Sequence, residues 1–281
     1  MKIGLIGTGY VGQAFLRYFR ARPEHEVRIA TREDTRNSIR FAAFIDRHKP
    51  DVVINAGGMS GADDCELNPG GCYLDNLVMP VVVAAACRHM GVKFGHVSTG
   101  CLYNDPIEVP READPYWFDF LHGSSIYSGT KALAEEMLRG AYIWRIRMPF
   151  DGTPHRNNLL VKLAQYPKLV ATEESITSLD DFPAWAMKSF DCLPDTWHMV
   201  NGSIRITTIA EMLLEAVLRK APVATFSNEV EYHHQIQAPR SSCTLDNSKL
   251  RQLVGDLCPI EDVVHDSISK LSSHMAAARE L

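Results

Sequence analysis

Residues 2–12, KIGLIGTGYVG, run from a short apolar stretch through a Gly-x-Gly-x-x-Gly turn into a segment with helical spacing. Few folds accommodate that order. Lys2–Ile6 reads as a buried strand, and Tyr10–Ala21 as a helix that Pro23 stops. Between them Gly7 permits a tight turn, Gly9 lets phosphates approach the backbone, and Gly12 lets helix and strand pack closely. The helix N-terminus adds N–H donors and partial positive charge. The pattern predicts a dinucleotide pyrophosphate site formed by Gly7, Gly9, Tyr10, Val11 and Gly12.

The same rhythm continues along the chain. Val27–Ala30 is a second strand, and Phe41, Phe44 and Ile45 give an apolar face to a helix that Pro50 ends. DVVINAGG (51–58) is a third strand with a glycine-rich exit; a helix from about Tyr73 to Met90 and a strand from Val92 to Ser98 follow. A helix after Ile126 and the run AYIWRIRMP complete the pattern. Strands alternating with helices predict an α/β fold with a doubly wound parallel sheet and right-handed crossovers. Residues 1–150 form the dinucleotide-binding (Rossmann) domain. Residues 151–281, turn-rich from DGTPHRNN onward, are expected to form mainly a smaller substrate lobe, with room to return strands to the sheet.

Composition narrows the function classes. A net charge of -5 lacks the excess of basic residues of a general nucleic-acid binder. The seven cysteines show no Cys-x-x-Cys spacing, so neither zinc nor a disulfide framework is expected, only free and mostly buried thiols in a reducing compartment. His233-His234 has no third ligand at helpful spacing, so no metal is expected. The chain opens directly on a strand-like run, and its longest apolar stretch, Met79–Cys87, is too short to span a bilayer. These features predict a cytoplasmic protein with no membrane partner.

Several polar residues fall where strands should end. After the second strand, IATRED places Thr31 and Arg32 where an acidic residue would favour NAD. Arg32 leans toward the 2′-phosphate of NADPH, while nearby Glu33 and Asp34 keep NADH open. Asn55, Ala56 and Gly57 form the third strand's exit and are expected beside the dinucleotide. YSGTK places Tyr127 and Lys131 four residues apart, on one face of a helix. An ammonium beside a phenol, whose ordinary pKa is about 10, lowers that value, so the pair can exchange a proton with a carbonyl oxygen during hydride transfer. STGCLY adds Thr99 and, less usually, a thiol at Cys101. A buried cysteine is ordinary core material, whereas a thiol near a cation can serve as a general base.

These motifs resemble the extended short-chain dehydrogenase/reductases. More narrowly, they are similar to the rhamnose-forming branch, with its dTDP-4-dehydrorhamnose reductases and bifunctional nucleotide-rhamnose epimerase-reductases. The resemblance covers nearly the whole chain. It rests on VINAGG with DDCE, DNLVMP with Asn76, STGCLY, RMPFDGTPHRNNLLVKL (147–163), SITSLDD (175–181) and APRSSCTLDNSKL (238–250). One departure is Ile6, which stands where the bifunctional relatives carry the first glycine of Gly-x-x-Gly-x-x-Gly.

The resemblance implies that Thr99, Tyr127 and Lys131 reduce a nucleotide-bound 4-keto-6-deoxyhexose, with Lys131 also holding the nicotinamide ribose. It implies that Cys101 and Lys162 serve a 3,5-epimerisation: the cysteine as base, the lysine as cation, proton donor or enolate stabiliser, with the two roles interchangeable. Arg240 is expected on the nucleotide diphosphate, and Arg156 and Asn157 on sugar or diphosphate. The implied product is UDP- or dTDP-β-L-rhamnose, the implied partners are an upstream 4,6-dehydratase and a second copy in a homodimer. Two other readings stay open: a 4-reductase relying on a separate epimerase, and a non-catalytic regulatory subunit that keeps the nucleotide pocket, similar to that of methionine adenosyltransferase.

Overall fold

The computed structural model describes residues 1–103, 109–115, 125–227, 231–232 and 236–277. Nine strands lie among them: β1 (Lys2–Ile6), β2 (Glu26–Ala30), β3 (Val52–Asn55), β4 (Lys93–Thr99), β5 (Tyr142–Ile146), β6 (Pro149–Phe150), β7 (Glu173–Ser178), β8 (Thr196–His198) and β9 (Gly202–Arg205). Six form one sheet in the order β2-β1-β3-β4-β5-β8, every neighbouring pair parallel. The order reverses between β1 and β3, which opens a crevice at the carboxyl ends of those strands.

Parallel strands covered on both faces read as apolar runs, and all four residues of β3 are buried. On one face, α1 (Tyr10–Arg20) contributes Phe15 and Phe19, which pack with Trp144, Phe182 and Trp197. On the other, α2 (Ser38–His48) brings Phe41, Phe44 and Ile45 against Val53, Phe94 and Ile143. Gly95 leaves room for the Trp144 ring, which a Cβ at that position would overlap. Trp144 in turn donates to Ser189 Oγ at 2.9 Å.

Pro69–Met90 is one continuous 22-residue helix, longer than the apolar core Met79–Cys87 on which the sequence reading relied. Asn68 caps its start by accepting from the Gly71 N–H, Pro69 occupies its first turn, and a π-helical turn spans Leu74–Val78. By length and composition alone the helix is apolar enough to cross a membrane. Within this chain Val83, Ala84, Ala86 and Cys87 pack into the same core as Phe41 and Phe44.

A second sheet, β6-β7-β9, pairs β6 with β7 in parallel and β7 with β9 antiparallel. Leu160, Leu163, Ile176, Ile209, Leu213, Val264 and Ile268 form its separate core. Asp151, wholly buried where the two parts meet, ties them together. It accepts from Tyr10 Oη at 2.9 Å and from Thr153 Oγ1 at 2.6 Å, and pairs with Arg17.

Candidate active site

The crevice begins at the glycine turn. Gly7 has φ +86°, and a Cβ there would stand 2.5 Å from the Gly57 Cα, so strand exits β1 and β3 touch backbone to backbone. Gly12 lies beneath the Gly7 carbonyl with no space for a side chain. At Gly9 the reverse holds: a Cβ would meet nothing within 4 Å. That open space fronts the first turn of α1, which has no acidic residue and N–H groups without intrahelical partners. The Gly7, Gly9, Val11 and Gly12 backbone therefore fits a dinucleotide pyrophosphate.

The neighbouring loop is pinned by two amides. Asn55 Oδ1 accepts from Gly57 N at 3.0 Å, while Asn76 accepts from Met59 N at 2.8 Å and donates to Met59 O at 3.0 Å. Ala56 and Gly57 are thereby held beside Gly7. Two of the expected cofactor residues behave differently. The Tyr10 ring stacks on His155, with centroids 4.6 Å apart, and its hydroxyl is committed to Asp151, which leaves only its backbone for a phosphate. Arg32 is 96% exposed and 3.9 Å from Asp75.

Tyr127, Lys131 and Thr99 meet at the end of β4. Ser125 caps α6 (Ile126–Met137) by accepting from Ser128 N at 3.1 Å, which sets the helical phase of Tyr127 and Lys131. Lys131 Nζ donates to Val97 O at 3.0 Å. Burial pulls its pKa down to about 8, against the carboxylate of Glu135. Tyr127 is pushed above its ordinary value, first by burial and then by charge at Cys101, while a hydrogen bond with Thr99 opposes the rise. The sequence reading expected the ammonium to lower the phenol's pKa; desolvation outweighs that pull.

A buried network lies beneath the pair. Arg145 donates to both Glu135 oxygens, Nε at 3.1 and 3.0 Å and Nη2 at 2.6 Å, and Ser98 Oγ bonds the same carboxylate. Arg145 also donates to Tyr103 Oη at 2.5 Å, which lies 3.0 Å from His198 Nε2.

Cys101 is half-buried on the turn after β4, its backbone N–H donating to Thr99 Oγ1 at 3.1 Å. The cation at its sulfur is Arg147, not Lys162: Arg147 Nη1 lies 3.3 Å from Cys101 Sγ. Lys162, half-buried on α7 (Leu159–Gln165), has its pKa lowered by burial and by the charges of Arg240 and Arg156, with Asp64 opposing. Lys162, Arg156 and Arg240 thus form a separate cationic group. Arg156 is exposed, Asn157 donates its N–H to His155 Nδ1 at 3.0 Å, and Arg240 pairs with Asp63 at 2.5 Å.

Arg147, Glu174 and Cys243 escaped the sequence reading. The signal was present in IWRIRM, where Arg145 and Arg147 interrupt an otherwise apolar strand, because a buried guanidinium demands a partner. Another thiol pair, Cys65 and Cys72, is hydrogen-bonded and wholly buried; its bond to Cys65 is the main influence bringing Cys72 down to about 7. All seven cysteines are free, as expected, but only Cys65, Cys72 and Cys87 are buried. Among the described residues no group of three or more His, Cys, Asp or Glu could hold a metal. His233-His234 lies outside the described residues.

The profile of the NAD dependent epimerase/dehydratase family matches residues 7–142. A bifunctional dTDP-4-dehydrorhamnose 3,5-epimerase/dTDP-4-dehydrorhamnose reductase of Arabidopsis thaliana is 29% identical over 238 residues, 79% of this chain and 77% of that protein. A trifunctional UDP-glucose 4,6-dehydratase/UDP-4-keto-6-deoxy-D-glucose 3,5-epimerase/UDP-4-keto-L-rhamnose-reductase of the same plant is 29% identical over 76% of this chain. That match spans only 34% of the trifunctional protein's length. Among solved structures, a UDP-rhamnose synthase from Acanthamoeba polyphaga mimivirus superposes with a TM-score of 0.85, covering 96% of this chain and 99% of that one at 20% identity. Residues 7–142 therefore match the NAD dependent epimerase/dehydratase family, and the plant relatives that align with 76% and 79% of this chain are enzymes of nucleotide-rhamnose synthesis.

Proposed function

We propose that this chain converts UDP- or dTDP-4-keto-6-deoxyglucose to the corresponding β-L-rhamnose, by 3,5-epimerisation followed by NADPH-dependent reduction of the 4-ketone. The observation that carries this reading is the convergence of two chemistries at one strand end. Thr99, Tyr127 and Lys131 are the components of a carbonyl reductase, and Cys101 follows Thr99 by two residues with its sulfur against a guanidinium.

Gly7, Gly9, Val11, Gly12 and the Asn55–Gly57 exit would hold the dinucleotide, which would supply hydride to C4. Thr99 positions the C4 oxygen, and Tyr127 gives it a proton. The raised pKa of Tyr127 suits that task, because the phenol keeps its proton at neutral pH. Lys131, charged below about pH 8, orients the phenol and the nicotinamide ribose. Cys101 removes the protons on C3 and C5, which the 4-ketone acidifies, and Lys162 returns a proton to each enolate carbon on the opposite face. Negative charge on Cys101 strengthens the hold of Tyr127 on its own proton, so base and acid coexist side by side. Lys162, Arg156 and Arg240 lie together as a polycationic group suited to the nucleotide diphosphate, with Asn157 beside them on the sugar. NADPH is favoured over NADH by Arg32, whose exposed guanidinium is free to turn toward a 2′-phosphate. A homodimer and a separate 4,6-dehydratase that makes the substrate belong to the same proposal.

Proton NMR of the product tests it. Wild type with NADPH and the 4-keto-6-deoxyglucose nucleotide yields the β-L-rhamnose nucleotide. Cys101→Ser yields none, yet still reduces substrate that has already been epimerised. Full conversion by Cys101→Ser would take the base role from Cys101, and no conversion by wild type until a separate epimerase is added would leave a reductase; faster turnover with NADH would overturn the cofactor preference.

A further inference from the structure

We propose that Arg147 is the positioning residue for Cys101, fixing the sulfur's place and charge in the crevice; this rests on the epimerase reading above. Arg147 follows β5 directly, and its side chain is wholly buried. Every arm of its guanidinium is committed. Nε donates to Glu174 Oε2 at 3.1 Å, and Nη2 bonds the same oxygen and Ser241 O at 2.7 Å. Nη1 reaches Ser241 Oγ at 3.2 Å and Cys101 Sγ at 3.3 Å.

A guanidinium cannot be neutralised in a protein, and its planar fork holds several partners in fixed directions. The bond to Cys101 therefore presents a permanent positive charge to the sulfur from a single direction. Glu174 keeps that charge in place and does not reach the thiol itself: its Oε2 is taken by Arg147 and by Cys243 N at 3.2 Å, and its Oε1 accepts from Thr172 Oγ1 at 3.0 Å. Among the described residues, Tyr127 and Cys243 also feel the charge of Cys101. Cys243 is half-buried, with its own sulfur on Gly100 O at 3.5 Å, and burial pushes its pKa up to about 11. Cys243 thus stays protonated at neutral pH, and the Cys101 sulfur is the one that Arg147 Nη1 meets, at 3.3 Å.

The same guanidinium clamps residues 236–247 over β7. Ser241 is its neighbour there, Arg240 pairs with Asp63, and Leu245 N donates to Ser175 Oγ at 2.8 Å. Arg147 thereby sets the sulfur relative to the segment that carries Arg240. Among the described hydrogen bonds none joins Arg147 to the side chains of Thr99, Tyr127 or Lys131; Arg147 reaches them only through Cys101, whose N–H donates to Thr99 Oγ1 at 3.1 Å. The prediction is a split between the two half-reactions.

The test compares wild type with R147M/E174Q, which removes both charges at similar volume, a change that buried ion pairs tolerate better than loss of one partner. Arg147→Lys is the second variant; it keeps a charge for Glu174 and loses the fork. Iodoacetamide labelling of Cys101, followed by peptide mass spectrometry at neutral pH, is expected to slow by about tenfold or more in the double variant and by at least about threefold in Arg147→Lys. For NADPH oxidation with the already epimerised 4-keto-rhamnose nucleotide, KM rises through the loosened Arg240 segment, while kcat at saturating substrate falls less than labelling does, within about threefold of wild type. Wild-type labelling rates in either folded variant overturn the proposal, and so does an equal loss of labelling and reduction. The epimerase reading fails separately, if wild type itself leaves C3 and C5 unexchanged, and the labelling comparison is unaffected by that result.

Discussion

At the scale of single residues, the site works by opposing shifts in its ionisable groups. Tyr127 is held protonated by burial, and burial likewise brings Lys131 down to about 8. Glu135 limits that fall, and Arg145 holds Glu135 in place. The pH dependence follows from the sign. A lysine whose folded pKa lies below its unfolded value of about 10.4 destabilises the fold while charged. The penalty is present below pH 8 and fades between about 8 and 10.4, so this residue's contribution to stability improves as pH rises. Activity runs the other way, because the ammonium orients the phenol. The kcat/KM for NADPH-dependent reduction should decline above about pH 8, and Glu135→Gln should move that decline to lower pH; an unmoved limb would separate Lys131 from the profile. The Tyr127–Lys131 spacing was readable in YSGTK, and Thr99 and Cys101 in STGCLY. The direction of the Tyr127 shift was not, because desolvation depends on what the fold places above the ring. Arg147 was hidden for a related reason: its partners Glu174 and Ser241 are 27 and 94 residues away along the chain.

At the scale of elements, the glycine turn separates packing from ligand binding within six residues. Gly12 has the Gly7 carbonyl against it, whereas Gly9 faces open space. Gly9→Ala should therefore keep the wild-type unfolding temperature while weakening NADPH binding by about tenfold or more, since the methyl occupies the phosphate's approach. Gly12→Ala should lower the unfolding temperature itself, by forcing α1 away from the turn. Calorimetry with NADPH titration checks both, and a Gly9→Ala protein that binds NADPH normally would remove the pyrophosphate from this turn. The strands and helices of residues 1–146 were readable because their apolar periods and their glycine and proline boundaries are local signals. The start of the long helix was not, because Asn68 and Pro69 open it well ahead of its apolar run: Pro69 lies ten residues before Met79. Tyr10 was readable as a helix residue but not as a tether, since its partner Asp151 is 141 residues away.

At the scale of the whole molecule, two cores meet across one crevice. The parallel sheet carries the glycine turn and, at its strand ends, Thr99, Tyr127 and Lys131, while the second sheet brings Glu174 to Arg147, and residues 236–247 bring Arg240 to Asp63. Tyr10, Arg17, Thr153 and Asn158 converge on the buried carboxylate of Asp151, so the helix that faces the dinucleotide is bound to the part that carries Lys162. On the proposed function, one cleft holds both a base for carbon, Cys101, and an acid for oxygen, Tyr127. The most direct measurement is proton NMR in deuterium oxide with the protein, UDP- or dTDP-4-keto-6-deoxyglucose and no NADPH. Enzyme-dependent deuterium uptake at C3 and C5 that vanishes in Cys101→Ser is the predicted result. Uptake no faster than without enzyme, with NADPH oxidised only after a separate epimerase is added, would contradict the account and leave Cys101 a thiol of the crevice wall.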